Sequence, residues 1–161
     1  MFTDAAELPE TDKFKDPQIK WHQAYFDLAD DEALVVEVTP PECEYWMIAL
    51  HNHWMETLDY VHHQATLNCH SAQLEPDGSV RFVIAHHDPG VANWLDTAGH
   101  SNGAMILRCV RTTTAPTPRG RVVSFENIAS ALPADTKRLT ADERASILDR
   151  RRRAVHERFG R

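Results

Sequence analysis

The sequence lacks most of the features that place a chain in a special class. Its three cysteines, Cys43, Cys69 and Cys109, form no CxxC pair, which argues against a disulfide framework and a structural zinc site. No apolar run approaches the length of a membrane span. The first residues, MFTDAAELPETDKFKD, have neither a basic leader nor an apolar segment. They predict no secretory signal, and the cytoplasm is the simplest location.

Motifs that carry well-known chemistry are also missing. The chain has no GxSxG, GxGxxG or HExxH sequence and no phosphate-binding GxxxxGK[ST] loop. Nucleotide binding and serine hydrolysis therefore have no motif support, and no motif requires a cofactor.

Charge is distributed unevenly along the 161 residues. Residues 1–136 carry 8 basic and 20 acidic side chains, a net charge of −12, whereas residues 137–161 carry 9 and 4, a net charge of +5. The basic end contains the run from Arg150 to Arg153. Because the acidic body would repel phosphates, we expect this end to dock on the body or on a partner subunit rather than on nucleic acid.

Short strands dominate the pattern as far as residue 125. Strand-like segments follow one another at WHQAYFDL, ALVVEV, YWMIALHNHW (45–54), TLNCHSAQL, VRFVIAHH, GAMILRCVRTT and RVVSF. The turn Glu75-Pro76-Asp77-Gly78 is expected to join the fourth to the fifth as a hairpin. No crossover helix intervenes, which favours an antiparallel sandwich or barrel.

A helix is predicted at the end of the chain. Thr140 and Glu143 form a capping box, and Gly160 stands where a C-cap belongs, so the helix should cover about residues 140–159. Its apolar stripe is thin and consists of Ile147, Leu148, Val155 and Phe159. The sequence thus predicts an arm at 1–20, a β domain at 21–125 and a helical tail at 126–161.

Histidine is frequent, with eight of the ten lying between His51 and His100. His51 and His53 are two apart on a predicted strand, so both project from one face, as in the His-x-His pairs of cupin metal sites. The cupin spacing to a glutamate and its preceding glycine are absent, so a surface pair is the alternative. In the doublets His62-His63, Cys69-His70 and His86-His87, an extended chain points neighbours to opposite faces, which favours His70 and His86 as inward-facing.

The segment from His86 to Gly103, here named loop 86–103, is dense in turn and recognition residues. Asp88-Pro89-Gly90 predicts a type II turn. Asn93, Trp94, Asp96 and His100 would suit a site in which polar groups orient a ligand against an aromatic wall. Equally, Asn93 and Asp96 would cap turns while Trp94 fills the edge of the core.

Over about residues 20–125 the sequence resembles the domain of unknown function 1214 family. The most specific matching string is DPGVANWLDTAGH, and YWMIALHNHWMETLDY and LNCHSAQLEPDGSVRFVIAHH also match. Outside that string, the matching residues include Asn52, Trp54, Glu56, Asp59, Tyr60, Asn68 and His70. The resemblance implies a jelly-roll-like β-sandwich, usually carried at the C-terminal end of a longer chain, so another subunit could supply a partner domain. It implies no settled activity.

Three functional hypotheses follow. The first is a small-molecule-binding or accessory module whose site lies at one end of the sandwich; its ligand-binding candidates are Trp54, Asn68, His86, Asn93 and Trp94. The second is an enzyme, with or without a metal ion, that uses an Asp/His acid-base pair on a small organic substrate; its candidates are Asp59, His70, Asp96 and His100. The third is a subunit that packs through its C-terminal helix against a second copy or a partner protein.

Overall fold

The computed structural model describes residues 16–160 and is mainly β. Its strands are β1 (Ile19–Asp27), β2 (Glu32–Val38), β3 (Tyr45–His51), β4 (Thr66–Asn68), β5 (Val80–Ala85), β6 (Trp94–Asp96), β7 (Asn102–Val110) and β8 (Arg119–Ser124). A 3-10 turn (Phe125–Asn127) and the helices α1 (Ile128–Ala131) and α2 (Ala141–Phe159) follow. Most of the arm expected at residues 1–20 lies outside the described residues.

The strands form two four-stranded sheets. Sheet 1 has the order β1-β7-β3-β4 and is antiparallel throughout. Sheet 2 has the order β6-β5-β2-β8, with β6 parallel to β5 and the other pairs antiparallel. Neighbouring strands are mostly far apart in the sequence, so the pairing depends on long-range contacts.

Alternation along the strands produces one shared core. In β3 the even positions Trp46, Ile48 and Leu50 are buried, as the period of two predicts. From sheet 2, Phe82 is fully buried and meets Trp46 edge to face, with ring centroids 6.1 Å apart. The inner faces of both sheets thereby contribute to a single hydrophobic cluster.

A second hydrophobic cluster covers the outer face of sheet 2. It contains Val35, Val83 and Trp94 from the strands together with Ile128 and Leu132 from α1 and the residue after it. Strand β2 is therefore buried on both faces, which explains why its sequence ALVV is continuously apolar.

The three cysteines, Cys43, Cys69 and Cys109, are not joined by disulfides. Cys109 is fully buried between the sheets, and this burial raises the pKa of its thiol to about 12.

Several predicted strands are shorter than expected. Strand β3 ends at His51 rather than at residue 54 because the side-chain oxygen of Asn52 accepts hydrogen bonds from the backbone N–H groups of Trp54 and Glu56. Those two N–H groups are therefore used within a local turn. Strand β4 has three residues only, since Asn68 begins a turn in the same way.

The predicted hairpin around residues 75–78 is wrong. The turn itself forms, with Gly78 at a φ of 81° and its N–H donating to the carbonyl of Glu75. However, β4 belongs to sheet 1 and β5 to sheet 2, so the turn carries the chain from one sheet to the other.

Helix α2 confirms the sequence prediction. Thr140 and Glu143 form the reciprocal capping box, and the helix runs from Ala141 to Phe159. Its apolar stripe contributes little burial, because Ile147, Leu148 and Val155 are only partly covered and Phe159 is 67% exposed. No helix within residues 16–160 combines the length and apolar character needed to cross a bilayer.

Two arginines attach α2 to the body instead. Arg144 is buried; it forms an ion pair with Asp88 at 2.9 Å, donates to the carbonyl of Val91, and lies 5.1 Å from the ring centre of Trp94. Two helical turns later, Arg151 donates to the hydroxyl and carbonyl of Thr66 at the free edge of β4. In the basic run Arg152 and Arg153 pair with Asp149 of the same helix.

We predict that Arg144→Ala lowers the free energy of unfolding by about 3 kcal/mol, because it leaves Asp88 unpaired and a buried carbonyl without its donor. Urea denaturation measures this change. The matched control is Arg153→Ala, an exposed arginine of the same helix, which should stay within about 0.5 kcal/mol of the unmodified protein. Equal stability of the two variants would contradict the anchoring role of Arg144.

Candidate functional site

Loop 86–103 is more ordered than its composition predicts. It contains β6, which pairs with β5 so that Trp94 lies opposite Val83. The Asp88-Pro89-Gly90 turn brings Gly90 to a φ of 70°, in agreement with the expected need for glycine there. The polar residues of the loop are therefore held by a sheet and a tight turn.

Asn93 and Trp94, predicted to bind a ligand, make structural contacts. The buried Asn93 amide accepts from the backbone N–H of Gln73 at 2.8 Å and donates to its carbonyl at 2.7 Å. The Trp94 indole is buried in the second cluster and donates to the carbonyl of Ala85 at 3.0 Å. These contacts use the polar atoms that a ligand would otherwise meet.

His86 joins two loops. Its Nε2 lies 3.2 Å from the carbonyl of Leu28, which can only accept, so Nε2 carries the proton in the neutral ring. Its Nδ1 then accepts from the buried Thr97 hydroxyl at 2.7 Å. Both ring nitrogens have partners, so His86 fastens the loop to the end of β1.

Asp96 forms the closest histidine–carboxylate contact in the described chain. Its Oδ2 lies 2.7 Å from Nδ1 of His63, and its Oδ1 accepts from the backbone N–H of Ala98. Only 14% of the Asp96 side chain is exposed, against 39% for His63. The carboxylate is thus oriented from both sides, and one edge of the imidazole faces solvent.

His63 is the residue that the sequence analysis missed. The prediction that adjacent histidines point to opposite faces assumes an extended chain. Residues 59–63 instead form a helical turn, in which the N–H of His63 donates to the carbonyl of Asp59. In this turn Asp59 also pairs with His62 at 2.9 Å, and that hydrogen bond lowers the pKa of the Asp59 carboxyl. The spacing of Asp59 and His62, three residues apart, was the available signal for a turn.

The remaining candidates near residue 52 do not converge. Trp54 is 77% exposed and stacks only against His53, with ring centroids 4.9 Å apart. His51 lies at the end of β3, where its Nδ1 is buried. Within residues 16–160, no three His, Cys, Asp or Glu side chains are grouped so that they could hold a metal ion.

His100 is exposed, and only its backbone N–H has a described partner, the carbonyl of Thr97. Trp94 is in the second cluster and Asp96 faces His63, and neither of the two hollows described next is lined by Trp94, Asp96 or His100. The ligand site expected around these three residues stays a prediction. A hollow of about 200 Å³ has Asn93 among its lining residues, but the amide of Asn93 is already hydrogen-bonded to the backbone of Gln73.

Two other candidates, Asn68 and His70, line a much larger opening. This opening, here named the α2 cleft, lies between α2 and the segment around β4 and has a volume of about 720 Å³. The body contributes Tyr60, Gln64, Thr66, Leu67, Asn68, His70, Ser71, Gln73 and Ala92. Lys137 and Leu139 come from the linker, and Ile147, Arg150, Arg151, Ala154, Val155, Arg158 and Phe159 come from α2.

The α2 cleft follows from how the helix is attached. Its lining residues recur at three- and four-residue intervals from Ile147 to Arg158, which is one face of a helix. Helix α2 and the body are joined here by polar contacts of arginine and not by a continuous apolar stripe. This face of the helix is therefore not closely packed against the body. On the body side, Asn68 shapes the wall by accepting from the N–H groups of His70 and Ser71.

Comparison with known proteins yields uncharacterised relatives. No protein-family model matches the chain, and no curated protein does. The chain is similar to an uncharacterised protein from Burkholderia cenocepacia, at 44% identity and a TM-score of 0.66 over 73% of this chain and 32% of that one. A second similarity, to the VPA0106 protein from Vibrio parahaemolyticus, shows the fold alone, at 13% identity and a TM-score of 0.53 over 67% and 31%. The chain therefore spans about a third of the length of each.

Two histidines generate a prediction about pH. Nε2 of His22 and Nδ1 of His51 are buried without a partner among the described residues, and burial lowers the pKa of both rings from 6.5. These two rings are therefore protonated more readily in the unfolded chain than in the folded one. As a result, the free energy of unfolding should fall as the pH drops below 6.5. Urea denaturation between about pH 5 and pH 7 measures this dependence.

Replacing His22 and His51 by glutamine should flatten that pH dependence, whereas replacing the exposed His53 should leave it unchanged. The assignment is wrong if the double variant keeps the full pH dependence.

Proposed function

We propose that the chain is a small-molecule-binding or accessory module and that its binding site is the α2 cleft. The observation that carries the proposal is the cleft volume of about 720 Å³, which is within the range of small-molecule sites, roughly 300–1,000 Å³. Apolar residues such as Leu139 and Val155 line the cleft together with polar ones such as Asn68 and Gln73. This mixture suits a ligand that buries apolar surface and is oriented by a few hydrogen bonds.

The module is inferred to be a jelly-roll-like β-sandwich of the domain of unknown function 1214 type, acting in the cytoplasm. Two sheets with a common core support the sandwich, although the β5–β6 pair is parallel. The similarity to longer uncharacterised proteins supports a module that works beside another domain. Exposed aromatic side chains on sheet 1, Trp21 and Tyr25, support the further proposal that it acts as a subunit of a homo-oligomer or of a complex.

A bulky side chain introduced into the α2 cleft should prevent ligand binding there. Ala154→Phe places a ring in the α2 cleft, so we expect it to abolish the fluorescence enhancement of the neutral dye N-phenyl-1-naphthylamine. The control is Ala145→Phe, the same substitution at an exposed position of α2 outside the cleft, which should leave dye binding unchanged. Dye titration measures both. If the unmodified protein does not bind the dye, or if both variants bind it equally, the proposed site is wrong.

An enzyme is the second candidate, and the 2.7 Å contact between His63 and Asp96 favours it. A carboxylate that fixes one ring nitrogen leaves the other available as a general base toward solvent. Asp96 was one of the acid-base candidates predicted from the sequence, whereas its histidine partner in the structure, His63, was not.

Hydrolysis of the activated ester p-nitrophenyl acetate tests the pair. Loss of a general base is expected to reduce the rate about a hundredfold. We therefore expect His63→Gln to remove most of the rate above background, and His62→Gln, which alters the exposed neighbouring pair, to retain it. A rate equal to that of free imidazole, or equal losses in both variants, would refute the enzymatic proposal.

A further inference from the structure

The charges of the α2 cleft define a class of ligand. Its lining contains the cationic side chains Lys137, Arg150, Arg151 and Arg158 and no carboxylate. All four cations come from residues 137–161, which carry a net charge of +5. Residues 1–136 carry a net charge of −12, but their part of the wall adds no carboxylate to offset the four cations.

Three of these cations form no salt bridge within residues 16–160, although the pKa of the Glu143 carboxyl is lowered by its hydrogen bonds with Thr140 and, in smaller part, by the nearby charge of Lys137. Arg151 is bound to Thr66, but Lys137, Arg150 and Arg158 form no salt bridge with any residue of the described range 16–160. On the same helix, Arg152 and Arg153 are both paired with Asp149 outside the cleft. The arginines that face away from the cleft are thus compensated, whereas Arg150 and Arg158, which line it, have no ion-pair partner within residues 16–160 and could bind an anion.

Apolar surface lies next to the free cations. The Arg158 guanidinium is 5.4 Å from the ring centre of Phe159, and Ala154 and Val155 occupy the preceding turn. Leu139 forms an apolar part of the facing wall. Arg150 and Arg158 are eight residues apart, or about 12 Å along a helix, and Ala154 and Val155 lie between them, so apolar surface separates the two positions.

We propose that the α2 cleft binds an organic anion with an apolar body, of which a medium-chain carboxylate is the simplest example. The proposal rests on the proposed function, because it names the ligand class of the same cleft. Arg150, Arg158 or Lys137 would hold the carboxylate, and Leu139 and the apolar residues of α2 would cover the alkyl chain.

Displacement of N-phenyl-1-naphthylamine tests the ligand class with four probes of matched size or charge: decanoate, decanol, decyltrimethylammonium and inorganic phosphate. We expect decanoate to displace the dye at a concentration about tenfold lower than decanol, a difference that one charge-assisted hydrogen bond explains. The cationic probe should be weaker than decanol, and phosphate should not displace the dye. If decanol or the cation equals decanoate, or if phosphate competes as well as decanoate, the proposed ligand class is wrong.

Two double variants that remove the same number of positive charges test which arginines bind the carboxylate. Arg150→Gln and Arg158→Gln together should weaken decanoate about tenfold and leave decanol unchanged. Arg152→Gln and Arg153→Gln together change the net charge equally outside the cleft and should alter neither. Equal losses in both double variants would overturn the assignment. Dye binding that Ala154→Phe abolishes, without any preference for anions, would overturn this inference while leaving the proposed function intact; dye binding unaffected by Ala154→Phe would overturn both.

Discussion

The position of α2 depends on one buried guanidinium. Arg144 reaches from the first turns of the helix to Asp88, to the carbonyl of Val91 and to the face of Trp94, all within loop 86–103. A charged group buried in this way is tolerated because each contact offsets part of its desolvation. Without it, the thin apolar stripe of α2 would contribute little attachment. The α2 cleft exists because this anchor fixes one end of the helix and leaves its further turns only partly covered.

Contacts with neighbouring segments explain why loop 86–103 is rich in polar residues. Asp88 binds Arg144, Asn93 binds the backbone of Gln73, and Asp96 binds His63 and Ala98. Most of these side chains are thus satisfied within the protein, as buried polar groups must be. A dense run of recognition residues can therefore indicate a rigid support for neighbouring elements as well as a ligand site.

The exposed surface gives the chain two distinct faces. Trp21, Tyr25 and Met55 lie close together at the edge of sheet 1, where the Gln23 amide contacts both Tyr25 and Met55. The α2 cleft, by contrast, borders β4 at the opposite edge of that sheet. The exposed aromatic residues and the α2 cleft therefore lie at opposite edges of sheet 1.

What the sequence by itself determined was local. The capping box of α2, the turn at Asp88-Pro89-Gly90 and the buried positions of β3 depend on residues a few positions apart, so spacing was enough to predict them. The tertiary structure decided whatever required distant segments to meet. It placed β4 and β5 in different sheets, brought His63 to Asp96 across 33 positions, and set Arg151 on Thr66 across 85. Such contacts depend on which strand edges and buried carbonyls remain without partners, and only the assembled sheets settle that.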